Sequence, residues 1–201
     1  MNFAGLPAVL IPVADPITCI YATWLIGLAF WVVAALFRRR TVHQQSQSSE
    51  FGQGAIAGAG FVILLNHHMP LGPLEARFLP NKPWIGWFGF AITVAGIIAM
   101  ALSRIALRGN WSANVTIKQD HELVRSGPYA FVRHPLYSGV LLAMLGTAIG
   151  FGQIRGLAGF ALTFAGWWLK LRTEEEFMLQ QFGARYEQYR REVKALIPGL
   201  L

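Results

Sequence analysis

Residues Ile17 to Phe37 carry no charge, and the run is about as long as the ~20 residues needed to cross a hydrocarbon core. A stretch of that kind leaves few folds open. Trp84 to Leu107 is a second such run, charged only at Arg104 near its end. Over the 201 residues, 54% are hydrophobic and only 13% charged, which is wrong for a soluble protein of this size and places the chain in a bilayer. The net charge of +7 could suggest nucleic acid, but the basic residues flank apolar runs and form no single patch. Anionic lipid headgroups are the better-matched partner, and no nucleic acid is expected. A lone cysteine, Cys19, excludes an internal disulfide and any cysteine-based metal cluster.

Residues 1 to 16, with Pro7, Pro12 and Pro16, read as an irregular lead-in to the first span. Arg38, Arg39 and Arg40 stop that span and, by the positive-inside rule, set it with the N-terminus outside. The polar stretch Thr41 to Gln53 reads as a short cytoplasmic connection, and Ala55 to about Pro73 as a weaker second span. Gly54 and Gly58 form a small-xxx-small pair suited to close helix approach. His67 and His68 follow its apolar core; adjacent helical residues do not share a face, so interfacial solvation is favoured over ligation and no metal is expected. The third span is Trp84 to Leu107. Tyr137 to about Gln153 and Arg155 to Leu171 then form a helical hairpin, with Gly146 and Gly150 as a second close-packing pair. The resulting expectation is an all-α, polytopic membrane protein of about five transmembrane helices, with a cytoplasmic amphipathic helix at its C-terminus. It divides into an N-terminal membrane region, 1–107, and a C-terminal core, 108–201.

Between the third and fourth spans lies one long polar insertion. Its second half, His121 to Tyr137, carries two histidines, two arginines and two tyrosines and ends on Arg133-His134-Pro135. Pro135 at the first position of a helix costs no hydrogen bond and leaves His134 at the helix mouth, where free backbone N–H groups point outward. Gly127-Pro128 reads as a tight turn that folds the insertion over that mouth. Two readings stay open for the segment on its own: a membrane-surface loop facing headgroups, or a binding site.

The tail from Arg172 is too charged to cross a membrane, yet Leu179, Phe182, Tyr186, Tyr189 and Val193 recur at helical spacing. Arg172 and Glu176 stand four apart, so a helix running straight out of the last span puts a cation and a carboxylate on one face. Thr173 with Glu176 also fits a capping box, and Glu174 and Glu175 read as capping or solvated residues.

The pattern Leu123-Val124, Gly127-Pro128-Tyr129, Arg133-His134-Pro135, Tyr137 and Gly139, followed by Arg172-Thr173-Glu174-Glu175-Glu176, Phe182-Gly183, Tyr186 and Tyr189, resembles the isoprenylcysteine carboxyl methyltransferase family of integral membrane enzymes. Phospholipid N-methyltransferases share much of it. The likeness covers about residues 110 to 198. It implies a site for S-adenosylmethionine, released as S-adenosylhomocysteine, with contacts from His121, Leu123, Val124, Tyr129, His134, Pro135, Leu136, Tyr137 and Glu176. Leu136 and Glu122 would contribute mainly backbone, and Asn114 falls near a polar position of the family. Arg172 would face the substrate, and Arg172 with Glu176 would be the catalytic pair.

The chemistry agrees with that assignment, because a sulfonium donor needs a carboxylate, N–H donors or a cation, and aromatic faces. The implied activity is methyl transfer to a lipophilic acceptor, first of all a prenylated cysteine carboxylate, at the cytoplasmic face. Three alternatives remain: a phospholipid amine acceptor, an NADPH-dependent membrane sterol or enone reductase, and a non-catalytic membrane scaffold. An enone-dependent nicotinamide absorbance change would mark the reductase, and indifference of ligand binding to His134 and Glu176 would mark the scaffold.

Overall fold

Asp15 accepts hydrogen bonds from the backbone N–H groups of Ile17 and Thr18, at 2.9 and 3.1 Å, with Pro16 at the first helical position. That cap opens α1, Pro16–Ala35. The computed structural model describes residues 14–36, 41–44, 47–66, 69–107, 116–118 and 123–201. Arg38 to Arg40, His67 and His68, Asn114, His121 and Glu122 lie outside the described residues.

After α1 come α2 (Gln47–Leu65), α3 (Pro83–Leu107), α4 (Pro135–Phe151), α5 (Ile154–Phe182) and α6 (Ala184–Glu192). The helical expectation needs one amendment. Thr41–Gln44 (β1) and Thr116–Lys118 (β2) pair as a short antiparallel ribbon in segments that sequence reads as polar loop. In addition, α2 starts at Gln47, inside the expected connection, and ends at Leu65, well before Pro73.

By length and composition, α1 and α3 can each cross a membrane, while Phe51–Leu65 and α4 are shorter apolar helices. Leu25, Ile26 and Leu28 of α1 and Ile98, Leu102 and Ile105 of α3 are all exposed. So much uncovered apolar surface on two helices of spanning length is suited to lipid.

Two helix pairs carry the packing, and in both the backbones touch. A Cβ at Gly96 or Gly89 of α3 would overlap the main chain of α4 at Gly139–Ala143 or Gly146–Gly150, and one at Gly139 or Gly146 would strike α3 in return. Glycine removes the side chain that would otherwise hold the helices apart. In the α2–α5 pair, Gly60 meets Gly159 and Thr163, and Gly166 meets Ala57. The expected contact glycines of α2, Gly54 and Gly58, face open space instead, one helical face away. Trp24 of α1 is tied in by donating from Nε1 to the Thr147 hydroxyl at 2.9 Å, which lies 3.2 Å from that of Thr93.

Gly152 closes α4 in the left-handed region at φ +65, and α5 begins two residues later. This is the tight hairpin that the sequence predicts. The tail departs from expectation: α5 runs unbroken to Phe182, and Gly183, at φ +51, then splits the amphipathic segment. Such a φ is open to glycine and strained for other residues, so Tyr186 and Tyr189 belong to a separate helix folded back on the site.

Candidate active site

Pro135 is the first residue of α4 and His134 its N-cap, as the Arg-His-Pro spacing predicts. Gly127, at φ +61, opens a one-turn 3₁₀ helix over Gly127–Ala130 that delivers a buried Tyr129 to the same end of the bundle. From α5, carboxylates arrive opposite them. Tyr137 donates its hydroxyl to Glu174 Oε1 at 2.6 Å. His134 lies between two carboxylates, with Nδ1 3.6 Å from Glu174 and Nε2 3.3 Å from Glu175. Arg133 donates from Nε and Nη2 to Glu175 Oε1, at 2.8 and 2.5 Å. The His134 ring stacks on Tyr137 at 5.8 Å, Tyr137 leans on Trp167 at 5.0 Å, and Lys170 Nζ lies 6.0 Å above the Tyr137 ring.

Among the residues expected from sequence, Tyr129, His134, Pro135 and Tyr137 therefore gather at one place. Leu136 packs on the cluster that holds Tyr137, and Leu123 and Val124 are half-buried. Arg172 and Glu176 do not join the cluster. Both are exposed on α5, and Arg172 lies 5.4 Å over the Trp168 ring. The two do share a face, but residues 162, 165, 169, 172 and 176 make it the uncovered one.

Glu174 and Glu175, which capping logic assigned to capping or solvent, are the carboxylates that meet Tyr137 and His134. A usable signal was present in the sequence. Phe164, Trp167 and Leu171 form the stripe that packs on α4, and carrying their three-and-four spacing forward lands on 174 and 175. Arg133 was visible only as part of a motif; its role as the counter-charge of Glu175 is a structural finding.

The electrostatics follow from this enclosure. Burial alone disfavours the His134 imidazolium, but the hydrogen bonds and charges of Glu174 and Glu175 outweigh it and raise its pKa. Burial likewise opposes ionisation of the two glutamates. Even so, His134 with Lys170 holds Glu174 below its ordinary value, and His134 with Arg133 does so for Glu175. Tyr129, buried and facing Glu174, is pushed far up and remains a neutral donor, while burial moves Tyr189 to about 12.

These directions set a pH profile. The raised His134 contributes stability that is complete below its ordinary 6.5 and is lost as pH climbs through its folded pKa. The lowered glutamates contribute stability that is complete above their ordinary 4.5 and is lost as pH falls through theirs. The cluster is thus most stabilising between 4.5 and 6.5. In thermal unfolding across pH, His134→Gln is expected to flatten the alkaline side of the profile; an unchanged alkaline side contradicts the assignment.

Among known proteins, a sequence profile for phospholipid methyltransferases matches residues 84–185. The protein-S-isoprenylcysteine O-methyltransferase of Schizosaccharomyces pombe is 40% identical over 81 residues, a match spanning 40% of this chain but only 34% of that protein. Protein-S-isoprenylcysteine O-methyltransferase B of Arabidopsis thaliana is 28% identical over 162 residues, covering 72% of this chain and 82% of its own length. In fold, the chain superposes on the eukaryotic intramembrane Ras methyltransferase, an isoprenylcysteine carboxyl methyltransferase, with a TM-score of 0.61 and 24% identity over 94% of this chain and 70% of that one. The profile covers half of the sequence and includes all of α3, α4 and α5 apart from α3's first residue, so the chain belongs to the phospholipid methyltransferase family of membrane methyltransferases.

Proposed function

We propose that this protein uses S-adenosylmethionine to methylate the carboxylate of a lipophilic acceptor, an S-isoprenylcysteine being the substrate its relatives' names point to. The observation that carries this reading is the convergence of Glu174, Glu175, His134 and Tyr137 at the joint of α4 and α5. The donor set fits a molecule bearing a sulfonium, an ammonium, a carboxylate and ribose hydroxyls. Carboxylates and aromatic faces suit the cations, and Arg133, His134 and the opening turn of α4 suit the anion.

In this proposal Tyr129, His134, Pro135, Leu136 and Tyr137, with Leu123 and Val124, enclose the donor, and Glu174 takes the acidic role first expected of Glu176. When bound, the donor supplies an electrophilic methyl group. The chain's own residues hold the acceptor in line with it and keep water out, which is where most of the acceleration of such a displacement arises. Arg172, on the uncovered face beside Trp168, is placed to draw an anionic headgroup toward the interface. We further propose five spans with the N-terminus outside, and a working core over residues 108–201 whose site and C-terminus lie on the cytoplasmic side.

An amine acceptor must surrender a proton to a base held at the site. A carboxylate acceptor needs no base. The test is transfer of a labelled methyl group to an N-acylated S-prenylcysteine, followed by alkali. Label released as volatile methanol is the expected result. Alkali-stable label in a phospholipid fraction would favour the amine reading, and no transfer by folded protein would overturn both.

A further inference from the structure

Beyond α6 the chain turns back into the site. Val193 is extended, and Val132 bridges Lys194 in parallel. The N–H of Arg133 donates to the Lys194 carbonyl at 2.8 Å and that of His134 to the Ala195 carbonyl at 2.9 Å. The Arg133 guanidinium also donates to the carbonyls of Val193 and Arg190. The Ser138 hydroxyl, one turn into α4, donates to the Leu196 carbonyl at 2.6 Å across 58 residues of sequence. Ala195 and Leu196 are buried in the cluster that holds Tyr137, Leu141 and Leu171.

This pairing matters because of where His134 sits. As an N-cap it has no intrahelical partner for its own N–H, and its side chain caps nothing. The returning segment supplies that partner, and with it the backbone orientation from which the imidazole reaches Glu174 and Glu175. We propose that Val193–Leu196 is a positioning strap for His134 and that Ser138 is its latch. The proposal rests on the reading of the site given above. Neither Ser138 nor Leu196 touches the donor in that reading, so both act through His134.

The test uses the full chain in detergent or nanodiscs, comparing wild type with Ser138→Ala, Ser138→Thr and the Ser138→Ala/Leu196→Ala pair. Amide hydrogen exchange resolved to single residues is expected to quicken at Arg133 and His134, by about fivefold for the loss of one buried hydrogen bond and by more than tenfold for the pair. Amides of α3 should not change, and Ser138→Thr, which keeps the hydroxyl, should match wild type. S-adenosylhomocysteine titrated into the pair variant is expected to bind at least tenfold more weakly. Unchanged exchange at Arg133 and His134 in both Ala-containing variants overturns the strap. Faster exchange with donor affinity equal to that of a binding wild type overturns its positioning role. If wild type does not bind S-adenosylhomocysteine while exchange behaves as expected, the strap stands and the functional reading falls. Should the pair variant fail to fold, Ser138→Ala against Ser138→Thr decides alone.

Discussion

Glu175→Ala is expected to lower stability by about 3 kcal/mol and, at the chain's size, the unfolding temperature by roughly 6–12 °C. Glu175 accepts two hydrogen bonds from Arg133 and lies 3.3 Å from His134, and the side chains of all three are about nine-tenths removed from solvent. Truncating the carboxylate leaves the enclosed Arg133 guanidinium without its counter-charge and takes from His134 one of its two carboxylates. Breaking a buried pair from one side is costly for that reason, even where the intact pair adds little. Arg190, 3.4 Å from the other oxygen but far more exposed, adds little to the effect. Glu175→Gln keeps the shape and one acceptor and should lose less than half as much. Melting curves in micelles decide it, and an alanine variant as stable as wild type would contradict the ion-pair assignment.

Gly96→Leu should do more damage, above about 3 kcal/mol, so that little folded protein accumulates. A Cβ there meets the backbone nitrogen of Ala143 and the carbonyl of Gly139, and Gly139 presses back on Met100 and Gly96. Backbone faces backbone across α3 and α4, so no flexible side chain can yield. The helices must separate along the length that also holds Gly89 against Gly146. Gly54→Leu is the matched control, since a Cβ at Gly54 meets nothing within 4 Å. Size-exclusion profiles of the two variants should differ sharply. Equal recovery of folded material would show that the α3–α4 contact is not the packing centre.

Much of this architecture is legible in the chain because bilayer and backbone impose coarse rules. Apolar runs of span length mark α1 and α3, and Arg133-His134-Pro135 marks the start of α4. Facing is harder to read. In a soluble helix polarity separates the covered side from the open one, but lipid and protein interior are equally apolar. The outward Ala165 and Leu169 therefore look no different from the inward Phe164, Trp167 and Leu171. One step of 100° separates Glu175 from Glu176, and that step moves a carboxylate from the site to the open face. The choice between Ala57–Gly60 and Gly54–Gly58 on α2 is lost in the same way. The ribbon of β1 and β2 and the strap at Val193–Leu196 depend on partners many dozens of residues away, and local pattern does not encode such pairings.

The central claim is that the α4–α5 joint binds a sulfonium donor, and calorimetric titration of the purified, folded protein with S-adenosylhomocysteine tests it most directly. The account predicts saturable one-to-one binding that Glu174→Gln weakens at least tenfold while the protein remains folded. A folded wild type that takes up no S-adenosylhomocysteine, or a Glu174→Gln variant that binds it as wild type does, would contradict the account.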